Sequence, residues 1–541
     1  MEGEDVSGAE VISKASIKQK RALKACDFCH RRGRRCKASP NDNTRCMTCI
    51  EYAVSCTWNR VSAKRGAKPR RSKVTETLWI FDESKHGSRS LITNLCDNFF
   101  ESVYPVAAII HEQTFMDHWH RDKIPCDRPS YARLMAVCAL SATRITSGAT
   151  FQLRNIQEHF EPNFYLNEAL QAVSGNVSES FNLESLQAVG VICLTALEAG
   201  NTFLLQRYMG MYHAALAEQG FHDERRWPDD ISIIEKEERR RLYWYMYRLE
   251  VHTSLVLGHA VRCPELHSAV AYPSLPDQDF TESIRESEWL SGWNFITDIY
   301  RGMEHVIPYF RSRRAIVNRA NRKLSTAFLY DYDPQEKIVE PLALALSNLP
   351  SRFKHAFAVS RDTRQNRCAF QTANIICTYH LLRILSFCAN DGTLFEACRT
   401  ALDLIEEISA IPHQYMRAMG LSMLQELSGL GHILSSFVKK ELRRSDYQHL
   451  RTVMVCMSEL LEIMPSCLSA AADASRRLRA YVEDIDHFLS PTQTPETPTV
   501  EYAQTYDGAL VTQQSDVDEI MIPLEMLERI PWDWAEPFHV F

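Results

Sequence analysis

Six cysteines stand at Cys26-x2-Cys29-x6-Cys36-x9-Cys46-x2-Cys49-x6-Cys56, and the two halves repeat one spacing. In a reducing compartment thiolates at these intervals read as metal ligands, with zinc the ion that four sulfurs suit best. Six sulfurs cannot form two separate sets of four. Two tetrahedral ions therefore need two shared sulfurs, and a twofold repeat supplies one from each half. The expectation is a binuclear site holding two zinc ions per chain, in a segment so short that metal supplies most of its folding free energy. The other eleven cysteines form no close pair at ligand spacing and read as buried thiols.

The array lies in a basic block. Residues 14–73 carry 18 Lys and Arg against Asp27, Asp42 and Glu51, a net +15 inside a chain of net charge −7. Neutralising phosphates releases condensed counterions, so such a block on an acidic body reads as the footprint of a nucleic-acid binder. Between the second and third cysteines stand His30, Arg31, Arg32, Gly33, Arg34 and Arg35, with Lys37 just beyond. Arginine suits bidentate contact with guanine O6 and N7, and lysine suits phosphate. Lys64, Arg65, Lys68, Arg70 and Arg71 follow in a stretch broken by Gly66 and Pro69, expected to be a basic linker that touches phosphates, serves as an import signal, or is a solvated hinge.

The array resembles the fungal binuclear zinc-cluster (Zn₂Cys₆) transcription factors in all five inter-cysteine spacings, in the basic run, and in Pro40 within the joining loop. The resemblance implies that Cys26 and Cys46 bridge the metals. It also implies that a short helix after Cys26 enters the major groove and reads a CGG-like triplet. The family's base-reading lysine falls where this chain has Gly33, which passes base reading to Arg32, Arg34 or Arg35.

These elements must be carried by a larger body. The 541 residues are 45% apolar, 10% aromatic and 24% charged, a globular composition. The longest nearly apolar stretches, 134–142 and 188–197, are shorter than a membrane span, and Met1-Glu2-Gly3-Glu4-Asp5 does not open a secretory signal. From about 91 to 490 apolar residues recur at three- and four-residue intervals, which predicts an all-α domain. Leu183, Leu186, Val189, Cys193 and Leu197 make one stripe, and Leu242, Met246 and Leu249 another. Ser130 is expected to cap a helix from Tyr131, and Gly220 to end the helix carrying Tyr212 and Leu216.

Residues 95–440 resemble the regulatory middle region of the same family, the fungal-specific transcription factor domain. The matching pieces are 215–222, then Glu237-Glu238-Arg239-Arg240-Arg241-Leu242-Tyr243-Trp244-Tyr245-Met246-Tyr247-Arg248-Leu249-Glu250, Gly258, and Pro273 to Asp277. The chain departs from it at Glu250-Val251, where Asp-Arg is usual, and at Gly258-His259-Ala260, where Gly-Arg-Pro is usual.

Residues 491–541 have ten acidic residues against Arg529, with Trp532, Trp534 and Phe538 among the apolar side chains. This composition predicts a partly disordered tail and a candidate activation segment; the alternative is a segment packed back on the body.

The organisation expected is a disordered tail (1–20), a small zinc-cysteine cluster domain (21–60), a basic linker (61–90), a large all-α regulatory domain (91–490) and an acidic tail (491–541). The function expected is a nuclear, sequence-specific transcription factor of RNA polymerase II genes, serving a metabolic pathway or gene cluster. Its partners would be double-stranded DNA and coactivators reached through the tail, with no membrane. A homodimer is open, although no three sustained heptads appear. A zinc-dependent protein-interaction regulator is the rival. An enzyme is disfavoured, since Gly-x4-Gly-Lys-Ser/Thr, His-Glu-x2-His and Gly-x-Ser-x-Gly are all missing.

Overall fold

Cys26 and Cys46 each open a short helix, α1 (Asp27–Arg31) and α2 (Met47–Glu51), and each sulfur accepts the backbone N–H three residues on, from Cys29 and Cys49, at 3.4 Å. Each cysteine thus satisfies a donor left free at a helix start. The computed structural model describes residues 24–60, 79–121, 123, 125–152, 156–173, 181–274, 283–314, 335–389, 393–435, 437–438, 441–463, 469–490 and 521–531. The chain divides into two compact units, Met1–Leu78 and Trp79–Phe541.

The second unit is helical. It runs through α3 (Glu83–His86), α4 (Arg89–Asn98), α5 (Glu112–His120), α6 (Arg128–Ser147), α7 (Pro162–Val173), α8 (Leu183–Glu198), α9 (Thr202–Gln219) and α10 (Ile233–Leu257). It continues with α11 (Ser283–Arg314), α12 (Glu340–Asn348), α13 (Thr363–Ala389), α14 (Leu394–Ser409), α15 (His413–Met419), α16 (Leu421–Ser435), α17 (Arg444–Ile463), α18 (Ser469–Leu489) and α19 (Leu524–Leu527). Trp79 lies 5.4 Å from the Tyr131 ring and Phe81 lies 5.2 Å from Trp119, so the unit's packing begins at its first residues.

The helix starts follow capping chemistry. Ser130 is not the cap of α6: Asp127 accepts the Ser130 N–H at 2.9 Å, the Ser130 side chain returns a bond to the Asp127 backbone, and Pro129 fits the first turn. The helix therefore begins earlier than expected. Gly220 ends α9 in the left-handed region as expected, at φ 61°. In α8 every residue from Leu186 to Leu197 is buried, and in α10 every residue from Arg241 to Val256, so the predicted stripes are parts of helices enclosed on all sides.

α11 packs on α13, and two α11 glycines make room for the segments that precede α13. A Cβ at Gly292 would stand 2.6 Å from the Phe353 ring, and one at Gly302 would stand 2.8 Å from Ile338 Cγ2. α13 is long and apolar enough to cross a membrane by length and composition, a candidate that the apolar stretches read from the sequence did not pick out. Most of it is buried within the helical unit, against α11, α14 and α16.

One two-residue strand pair joins the C-terminal segment to this unit. β1 (Leu442–Arg443) and β2 (Met521–Ile522) run antiparallel with Leu442 opposite Ile522. Ile522, Leu527 and Ile530 are buried, and the Tyr481 hydroxyl donates to the Met526 carbonyl at 2.5 Å. This part of the acidic tail is packed on the body, the alternative weighed above. Trp532, Trp534 and Phe538 lie outside the described residues.

Candidate metal centre and nucleic-acid interface

The six sulfurs gather into two overlapping groups of four. Cys26, Cys29, Cys36 and Cys46 form one, Cys26, Cys46, Cys49 and Cys56 the other, and within each group all sulfurs lie within 4.8 Å of one another. Cys26 and Cys46 belong to both. Their sulfurs are 3.7 Å apart, Cys26 to Cys49 is 3.6 Å, and Cys29 to Cys46 is 3.7 Å. A tetrahedral zinc with Zn–S near 2.3 Å has sulfur–sulfur edges of about 3.8 Å, so the donor set fits that ion. The cluster could hold a metal ion, and its chemistry is that of zinc.

The two shared cysteines also differ electrostatically from the rest. Burial opposes ionisation of Cys26, yet the Cys29 N–H and the neighbouring sulfurs bring its thiol down to about 6. Burial raises Cys29 to about 12 and raises Cys36, Cys49 and Cys56 as well, while Cys46 is lowered. The helix-capping sulfurs are thus the easiest of the six to deprotonate.

Around this core the basic residues point outward. His30 and Arg31 end α1, Arg32 is its C-cap, and Arg34, Arg35 and Lys37 follow; all six are exposed. None pairs with a described carboxylate. The Arg32 guanidinium lies 5.6 Å from the Phe28 ring centroid, Arg34 lies 5.9 Å from Tyr52, and the two rings are 6.0 Å apart. Phe28 and Tyr52 therefore form an aromatic shelf that orients two of the arginines. Sequence reading missed it, the only signal being two aromatics inside a basic block.

Two further residues close the cluster. Arg45 turns inward and donates to the Val54 carbonyl at 2.8 Å. Asp27 accepts from the Thr57 hydroxyl and the Asn59 N–H, both at 2.8 Å, and these bonds hold its carboxyl below the ordinary range. Lys64, Arg65, Lys68, Arg70 and Arg71 lie outside the described residues.

In the helical unit, the long motif of α10 fastens two loops. Glu237 accepts the Ser274 N–H at 2.8 Å, Arg240 reaches Glu224 at 2.7 Å, and Trp244 donates from its indole to the Ala271 carbonyl at 3.0 Å. The 221–227 turn, α10 and the 269–274 segment are thus one knot, which accounts for the order and spacing of the pieces. Residues 96–325 match the fungal specific transcription factor domain. Over that region the chain is similar to this domain. No curated protein matches the chain.

The fungal specific transcription factor domain is not an enzyme family, and an all-helical fold accords with it. The match spans α5 to α11 and ends well before residue 440, the end inferred from sequence. Its departure at Glu250 has a structural counterpart. The buried Glu250 carboxylate accepts from Arg262 Nε at 2.7 Å and lies 3.0 Å from His213 Nε2, so the acid remains paired although the usual neighbouring arginine is absent. The match, with a six-cysteine cluster upstream that could hold a metal ion, is that of a transcription regulator.

Proposed function

We propose that this chain is a nuclear, sequence-specific DNA-binding regulator of RNA polymerase II genes, acting on a metabolic pathway or gene cluster. The observation that carries the reading is the sharing of Cys26 and Cys46 between two four-sulfur groups, beside exposed arginines that no described carboxylate neutralises. The six cysteines would hold two zinc ions, Cys26 and Cys46 bridging. When bound, the metal supplies folding free energy to a segment with almost no core of its own. The chain's residues then do the recognition. Arg32 and Arg34, oriented by Phe28 and Tyr52, stand with Arg31 and Arg35 to reach guanine edges, while Lys37 and the basic residues from Lys64 to Arg71 hold phosphates. Gly33 presents no side chain, so a CGG-like triplet would be read by the arginines around it.

Selection from random duplexes with the zinc-loaded protein tests this. Alanine at Arg31, Arg32, Arg34 or Arg35 should cost about 1–3 kcal/mol on the selected site and relax its sequence. Alanine at Lys64, Lys68 or Arg71 should weaken every sequence alike and flatten the salt dependence. Retention of no duplex would leave the zinc-dependent protein-interaction regulator as the function.

A further inference from the structure

Between α6, α8, α10, α11, α13 and α16 lies a cavity of about 70 Å³. Most of its wall is apolar, but it also holds Arg248, Tyr245 and Glu426. Arg248 is 5% exposed, stacked 3.8 Å above the Trp293 ring, and donates to the Val106 carbonyl at 2.9 Å; no described carboxylate pairs with it. Burial lowers its pKa to about 10, so it is a cation at neutral pH. The Tyr245 hydroxyl and Glu426 Oε2 are buried without a hydrogen-bond partner. Burial lifts the Glu426 acid to about 8, which leaves it protonated and able to donate.

The other charged group in the wall is already compensated. Arg144 meets Glu198 at 2.8 Å and the carbonyls of Ser102 and Ala418 at 3.0 and 2.9 Å. A buried cation without a counter-ion and two buried polar atoms without partners converge on one space, each costly where it stands. Water can satisfy the hydroxyl and the acid, but only an anion also neutralises Arg248. The space equals about two waters' share of liquid volume, room for a ligand of only a few heavy atoms.

We infer that this cavity binds a compact monocarboxylate of two or three carbons, its anion on Arg248, its oxygens within reach of Tyr245 and Glu426, and its carbon chain against the apolar wall. The site lies in the helical unit and does not depend on whether the cluster binds DNA.

The test uses the full-length protein and follows tryptophan fluorescence, to which Trp293 beneath Arg248 contributes, while propionate, acetate, propionamide and chloride are titrated. Propionate or acetate should give a saturable change, and propionamide, which lacks the charge, should bind at least about tenfold more weakly. Arg248→Met should abolish the change with helix content preserved, whereas Glu426→Gln, which keeps a donor, should retain it. No saturable signal with either carboxylate, equal binding of propionamide or chloride, or unaltered binding by Arg248→Met overturns the assignment. Should Arg248→Met fail to fold, the comparison of propionate with propionamide on the unaltered protein decides alone.

Discussion

Gly33 and Ala53 occupy the same left-handed backbone position, at φ 61° and 50°, each two residues past the end of its own short helix. Gly33 donates to the His30 carbonyl and Ala53 to the Ile50 carbonyl, and the next residues, Arg34 and Val54, reach back to Cys29 and Cys49. The glycine that replaces the family's usual lysine therefore sits in the helix-ending turn and does not weaken the helix. Ala53→Gly should stabilise the zinc-loaded protein by about 0.5–1 kcal/mol, since alanine holds a conformation that glycine adopts freely. Gly33→Ala should cost a similar amount by backbone strain alone, because a Cβ there meets nothing within 4 Å. Denaturant midpoints of the cluster measure both, and a destabilised Ala53→Gly would contradict the equivalence of the halves.

Shared and unshared cysteines should separate in a metal count. Alanine at Cys29, Cys36, Cys49 or Cys56 removes a sulfur from one four-sulfur group and should leave about one zinc per chain, whereas alanine at Cys26 or Cys46 damages both and should leave almost none. Native mass spectrometry of the six variants reads this directly. An equal loss in all six would rule out sharing.

Glu426 gives the helical unit a pH dependence of defined sign. Its carboxyl, 4.5 ordinarily, is raised to about 8 by burial, so the folded chain holds a proton that the unfolded chain releases. Its effect on stability is absent below about pH 4.5 and becomes progressively unfavourable up to about pH 8, reaching on the order of 3 kcal/mol at pH 7. Tyr300 and Cys377, which lie near it, are raised by burial and stay protonated over that range, whereas the nearby imidazole of His252 is lowered by burial and adds an opposing slope at the acidic end, so the Glu426 contribution is read as the difference between the unaltered chain and Glu426→Gln. Glu426→Gln should flatten the slope between pH 5 and 8 in ligand-free protein, as followed by thermal unfolding. A slope equal to that of the unaltered chain would exclude Glu426 as its source.

The C-terminal segment should behave as part of the body. Ile522→Ala empties a fully buried site and should cost about 2–5 kcal/mol of helical-unit stability. Residues 520–541 transferred to an unrelated DNA-binding domain should be silent in a reporter assay if packing is their whole role. Strong activation by the transferred segment, together with an unaffected Ile522→Ala protein, would make it an independent activation segment.

The gathering of the six cysteines was legible because its information is local: residue type and a twofold spacing within thirty-one residues constrain geometry almost alone. The helical class was legible from periodicity, since apolar faces must be buried whatever the topology. What escaped depends on distant pairing. Nothing in Met521 and Ile522 marks them as partners of Arg443 and Leu442, and two ladder residues carry no alternation to read. Arg248, between Tyr247 and Leu249, reads as any helix arginine, and only the enclosure of α10 on all faces makes it a buried cation. Ser130 was read as the cap, yet the proline ahead of it is at home in a first helical turn, which leaves Asp127 as the cap.

The close approach of α11 to the residues around Ile338 and Phe353 bears on how this chain can be divided. Gly292 and Gly302 have no side chains because Phe353 and Ile338 fill that space, and both partners lie beyond residue 325. A fragment cut at the end of the matched region would bare an apolar seam along α11, including Ile299, Met303 and Ile307, which are buried in the intact chain. Such a fragment should aggregate when expressed, and its insolubility would say nothing about whether the region senses or regulates anything. The smallest heritable unit of this body is therefore longer than its recognisable signature.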